Sequence, residues 1–189
     1  DAGDCQINVH CPEGDGWENA INATCLIMDG GTELCSGTLI NNTKNDGTPY
    51  LLTANHCHSL APNTGTWVFW FNWESPTCEN VTKSPAKKTL SGAKLVAYNY
   101  QTDFCLVKLN TAPPVSYQPV YCGWSRSNTA PNKAVCIHHP SLDVKKISPT
   151  KKIEIASFFN DPNRLNAWKA IWTEACTETG SSGCSLFDS

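Results

Sequence analysis

Eleven cysteines in 189 residues constrain this chain more than any other feature. A reducing cytosol holds cysteines as thiols or metal ligands, whereas an oxidising compartment pairs them. An odd count leaves at least one without a partner inside the chain if the others pair. No Cys-x-x-Cys pair and no His-Glu-x-x-His occurs, so the common zinc spacings are absent. His56-Cys57-His58, His138-His139 and His10-Cys11 remain as possible zinc ligands, a weaker rival to a disulfide framework. The expected setting is therefore secreted, with no metal and no cofactor. Hydrophobic residues make up 40% and charged residues 16%, which excludes a disordered chain. A net charge of -3 gives no electrostatic support for a nucleic-acid partner. The apolar runs, such as Trp67 to Phe71, are too short to cross a bilayer. Asp1-Ala2-Gly3-Asp4 lacks a signal pattern and reads as a processed N-terminus.

Short β-rich runs broken by Gly, Asn, Pro and Thr recur along the chain. Thr38-Leu39-Ile40, Tyr50 to Thr53, Trp67 to Phe71, Lys94 to Tyr98 and Phe104 to Leu109 read as strands. The sharpest boundary is Asn110-Thr111-Ala112-Pro113-Pro114, where two prolines suit an extended connector. It divides a first lobe, 1–110, from a second, 111–189. In the second lobe Val120 to Trp124, Ala134 to His138 and Ile153 to Phe159 read as strands. Asn166 to Ala175 fits a helix or a strand. The class expected is all-β, a sandwich or barrel. Three triplets, beginning at Asn22, Asn41 and Asn80, fit the glycosylation pattern and matter only in a glycosylating host.

Three segments together supply a base, an orienter and a nucleophile. Leu51-Leu52-Thr53-Ala54-Asn55-His56-Cys57 is an apolar strand ending in a His. Asp103 heads the apolar run Phe104 to Leu109. Gly180-Ser181-Ser182-Gly183 sets a Ser in a tight turn, where glycine tolerates positive φ. Each alone favours a bland reading: a structural His, a strand cap, a loop. Together they fit acyl transfer. A serine hydroxyl is a weak nucleophile until an imidazole takes its proton, and a carboxylate fixes that imidazole's tautomer. The amides of Gly180 and Ser182 would cradle the oxyanion, a contribution of roughly 3 kcal/mol per donor. The order His, Asp, Ser is one of the known triad orders.

Thr53-Ala54-Asn55-His56-Cys57, Asp103-Phe104-Cys105-Leu106-Val107 and Gly180-Ser181-Ser182-Gly183 resemble the three motifs of trypsin-like peptidases. Within that group the chain most resembles bacterial lysyl endopeptidases. The further matches are Cys5, Asn8 to Gly16, Cys35 to Thr43, Gly123-Trp124-Ser125-Arg126 and Ile137-His138-His139-Pro140. The resemblance implies two Greek-key β-barrels of chymotrypsin type, the second incomplete in this chain. It implies a serine endopeptidase with His56 as base, Asp103 as orienter and Ser182 as nucleophile, acting on protein or peptide after lysine. It also implies Cys35–Cys57 and Cys11–Cys78 disulfides, worth roughly 3–4.5 kcal/mol each in the chain-entropy model. Cys5 matches a cysteine whose family partner lies beyond Ser189, which implies a continuation or a cleaved C-terminal fragment linked through Cys5. Cys25, Cys105, Cys122, Cys136, Cys176 and Cys184 are left over; Cys122 and Cys136, on neighbouring expected strands, are the candidate extra pair.

There are departures from the family pattern. Ser181 stands where trypsin has an acid that receives a new N-terminus, so the Cys5 tether takes the place of N-terminal insertion. Cys184-Ser185 replaces a small residue and a proline. Cys105 shares a strand face with Asp103. An aromatic pocket position falls near Phe158, Phe159 and Asn160. The acid that selects lysine does not occur here, and an unfinished second lobe is expected to leave residues 1–189 incompetent alone. An impaired homologue acting as a binding module is the alternative reading, with a zinc-binding β protein behind it.

Overall fold

Period-two burial builds the strands. In Phe104–Leu109 the side chains of Cys105, Val107 and Leu109 are buried while Lys108 is exposed. The structure, a computed structural model, describes residues 2–157 and 166–188. Its elements run β1 (Ile7–Asn8), α1 (Glu18–Ala23), β2 (Thr24–Asp29), β3 (Thr32–Ile40), β4 (Tyr50–Ala54), α2 (Asn55–Leu60), β5 (Val68–Phe71) and β6 (Lys88–Ser91). They continue with β7 (Ala93–Asn99), β8 (Phe104–Leu109), β9 (Ala134–His138), β10 (Lys146–Thr150), β11 (Lys152–Ser157), β12 (Asn166–Ile171) and β13 (Leu186–Asp188).

Seven antiparallel strands form one sheet in the order β6-β5-β2-β3-β4-β8-β7. Ile27, Leu39, Leu51, Trp67, Phe69, Phe71 and Val107 fill its core. A second sheet, β1-β10-β9-β13, packs Val135, Ile137 and Ile147 against Val9, Ala20 and Ile21. The N-terminal strand thus belongs to the second sheet by pairing, Ile7 opposite Ile147. β11 and β12 make a separate two-stranded ribbon. Between the sheets, Leu26 and Met28 meet Trp73 and Val144. Beside that cluster the fully buried Lys145 ammonium donates to Glu74 Oε2 at 2.7 Å and to the Ile21 carbonyl at 2.8 Å.

Three disulfides join described residues: Cys35 to Cys57, Cys11 to Cys78, and Cys5 to Cys176. The last corrects the expectation that Cys5 is tied to a segment beyond Ser189. The N-terminal segment docks onto the second sheet, where Gly3 N–H donates to Glu178 Oε1 at 3.0 Å and Gln6 lies against Cys176. That docking brings Cys5 and Cys176 to a Cα separation of 5.9 Å. The suggested Cys122–Cys136 pair does not form either. Val120 to Trp124 is not a strand: Pro119 lacks a donor, and the run pairs only through a bridge of Cys122 to Ile40. Asn166 to Ile171 resolves the helix-or-strand ambiguity as strand. Phe158, Phe159 and Asn160 lie outside the described residues.

Candidate active site

β4 delivers the histidine. Its apolar run pairs with β3 and β8 and then breaks into α2, so His56 stands on the first turn of a short helix at the sheet's end. Cys57 behind it is buried and bonded to Cys35 of β3, which pins that turn to the sheet. Asp103 arrives from the adjacent strand β8. Its φ of 54° is a left-handed conformation that Asp tolerates better than most residues. This turn aims both carboxylate oxygens at one residue. His56 N–H donates to Oδ1 at 2.8 Å, and His56 Nδ1–H donates to Oδ2 at 2.6 Å. The Asn55 amide donates to the Asp103 carbonyl at 2.8 Å. Three hydrogen bonds therefore lock the pair and, in the neutral ring, place the proton on Nδ1 and the lone pair on Nε2. The Asp103 side chain is 16% exposed and the His56 ring 45%, so the carboxylate is screened and the ring opens to solvent. Burial, and then the charge of Asp103, push the Cys105 thiol up to about 11, so it stays neutral beside the carboxylate at neutral pH.

The serine turn is stitched to the same sheet from the other side. Ser36 N–H donates to the Ser182 carbonyl at 2.8 Å, and Ser36 Oγ–H donates to the Gly180 carbonyl at 2.9 Å. The same Oγ accepts the His139 amide at 2.9 Å. Ser36 adjoins Cys35, so the turn and the histidine helix share one anchor. Sequence reasoning missed Ser36, because a small polar residue inside a strand carries no local signal. The amides of Gly180 and Ser182 have no acceptor among the described residues. Ser182 Oγ makes no hydrogen bond with His56 among the described contacts, so the structure joins His56 to Asp103 and leaves the serine hydroxyl unengaged.

Gly183 closes the turn at φ +81°, and a Cβ there would stand 2.2 Å from Thr53 Oγ1 and 2.5 Å from the Ser36 carbonyl. Gly183→Ala is therefore expected to cost about 2 kcal/mol or more through backbone strain and the clash. It should also displace the serine turn. A thermal melt checks the first effect; a melting temperature equal to wild type would contradict it.

Behind the turn, His138 is buried, and burial lowers its pKa to about 4, with Glu178 opposing and Lys146 assisting. Its proton position follows from its neighbours. Ser148 Oγ–H donates to the Cys176 carbonyl at 2.7 Å, so His138 Nε2–H must donate to Ser148 Oγ at 2.9 Å. The free Nδ1 then accepts Ser181 Oγ–H at 2.7 Å, and Ser181 Oγ in turn accepts the Glu178 amide at 3.1 Å. Ser181, the residue before Ser182, is held by a neutral imidazole. His58 leans on Tyr98 and His139 stacks on Trp73. The Cys35, His56 and Cys57 ligand atoms lie within 4.8 Å of one another, but the two sulfurs are bonded to each other.

A sequence profile described as the lysyl endopeptidase C-terminal domain matches residues 1–189. The chain belongs to this family. A lysyl endopeptidase of Pseudomonas aeruginosa is 27% identical over 199 residues. That alignment takes in 98% of this chain and 42% of the relative, so the chain spans under half of that protein's length. Among solved structures, inactive Rv3671c of M. tuberculosis is similar at a TM-score of 0.57 and 15% identity, over 95% of this chain and 74% of that one. Human heparin binding protein is similar at a TM-score of 0.59 and 12% identity, over 89% and 76%. These likenesses show the fold, that of trypsin-like serine peptidases, all-β and of chymotrypsin type.

Proposed function

We propose that this family member is a secreted serine endopeptidase in which Ser182 attacks the peptide carbonyl. His56 takes the hydroxyl proton on Nε2 and returns it to the leaving amine, and Asp103 stabilises the imidazolium. The amides of Gly180 and Ser182 receive the oxyanion. The observation that carries this reading is the doubly bonded His56–Asp103 pair, whose Nδ1–H bond leaves the outer nitrogen free to act as base. The unclaimed amides of the serine turn and its stitching to Ser36 support it. Cleavage after lysine rests on family membership. It requires a carboxylate in the side-chain pocket, because an unpaired buried ammonium is expensive. Disulfides linking distant segments favour an extracellular setting.

The test is covalent labelling. A fluorophosphonate probe is expected to modify Ser182 in the wild type and not in Ser182→Ala, with peptide mass spectrometry locating the adduct. No adduct on Ser182 would favour the binding-module reading. Profiling on a peptide library checks specificity separately: a preference for apolar or acidic residues before the cut would remove the lysine assignment alone.

A further inference from the structure

Three disulfides leave five thiols: Cys25, Cys105, Cys122, Cys136 and Cys184. Two of them face each other. Cys136 Sγ and Cys184 Sγ lie 2.7 Å apart, closer than unbonded sulfurs pack but longer than the ~2.05 Å of a disulfide. Their positions are set by the sheet. Cys136 is opposite Leu186 in the β9–β13 pairing, so Cys184 sits where the chain leaves the serine turn and enters β13. Cys136 is 2% exposed, whereas Cys184 is half-buried and lines a cleft shared with Asp103, Gly183, Gly123 and Trp124. Cys184 is two residues from Ser182.

We propose that Cys136 and Cys184 are an oxidisable pair that closes a fourth disulfide and clamps the Ser182 turn onto β9. The oxidant is a low-mass disulfide entering from the cleft. The Cys184 thiolate attacks one sulfur of it, forming a mixed disulfide and releasing one thiolate. The Cys136 thiol gives up its proton and attacks the Cys184 sulfur, releasing the second thiolate. Two protein thiols are oxidised and one external disulfide is reduced. Access fixes the order, since only Cys184 meets the cleft. Burial and the adjoining Cys184 hold the Cys136 thiol well above its ordinary range, which keeps it protonated and out of the first attack. The bond follows from the geometry alone; its effect on Ser182 rests on the proposed function.

The purified protein is incubated with oxidised glutathione, denatured in iodoacetamide and digested without reduction. The expected product is a Cys136–Cys184 linked peptide pair, with Cys25, Cys105 and Cys122 alkylated. Recovery of Cys136 and Cys184 as alkylated thiols would overturn the pair. Fluorophosphonate labelling then reads the clamp. Oxidised wild type is expected to label at Ser182 at least tenfold faster than Cys136→Ser, with Cys184→Ala as a second variant. Labelling by both variants at the oxidised wild-type rate would overturn the clamp. No labelling in any form, with the crosslink present, would remove the nucleophile reading and leave the bond standing.

Discussion

Asp103→Asn is expected to lower turnover about ten-thousand-fold, the size of a tautomer reversal in a serine triad. The Asn carbonyl would still accept the His56 amide, so the backbone arrangement at 2.8 Å survives. The Asn amide would instead donate to Nδ1, where the carboxylate now accepts at 2.6 Å. That reversal puts the proton on Nε2, the atom that must take the serine proton. The fold should persist, because the Asn55 amide bond to the residue 103 carbonyl involves backbone only. Turnover of a lysyl ester, with a thermal melt alongside, checks both halves. A fall of less than tenfold in a folded variant would show that the carboxylate does not orient the base.

The second large effect concerns stability. Lys145 has no exposed side-chain surface, and Glu74 carries its counter-charge with His10 Nε2 on the other oxygen at 3.5 Å. Burial acts to raise the Glu74 carboxyl, but the charge and hydrogen bond of Lys145, joined by His10, hold it below the usual carboxylate range. Removing one partner of a buried pair costs about 3–5 kcal/mol, because the other charge is stranded. Glu74→Gln is expected to cost that much in denaturant unfolding at neutral pH. The sign with pH is fixed. A depressed folded pKa contributes stability above the unfolded carboxylate value, and that contribution is lost as pH falls through the folded value. The variant should lose this part of the acid sensitivity. A cost below 1 kcal/mol would mean that water reaches the Lys145 ammonium.

What was legible in the sequence was local. The run from Tyr50 and the run from Phe104 carry their own period-two pattern, and both are strands of the first sheet. His56 and Asp103 could be singled out because each ends or begins such a run. The helix that starts at Asn55 was not legible, since six residues show too little periodicity. The partner of Cys5 was misplaced because family correspondence, not spacing, suggested it; the observed partner lies 171 residues away. The coupling of Ser181 to His138 spans 43 residues and joins the serine turn to the last residue of β9. No short motif encodes such a contact. Cys184 looked like a mere replacement at the end of the serine turn, and only the register of β13 on β9 shows what it faces.

The pairing of the N-terminal strand has a consequence for how the molecule assembles. Ile7 and Asn8 find their partners on β10, about 140 residues later, and Cys5 closes onto Cys176. A chain emerging in order can complete the seven-stranded sheet from Thr24 to Leu109 by neighbouring hairpins and two returns, β5 onto β2 and β8 onto β4. The segment from Cys5 to Asn8 must wait for β10 and Cys176. Such distant closures are slow, since loop entropy is spent before any contact repays it. The serine turn and the Cys5 tether are therefore expected to mature together and last, so that the Ser182 hydroxyl is set in place only when Cys5 has met Cys176.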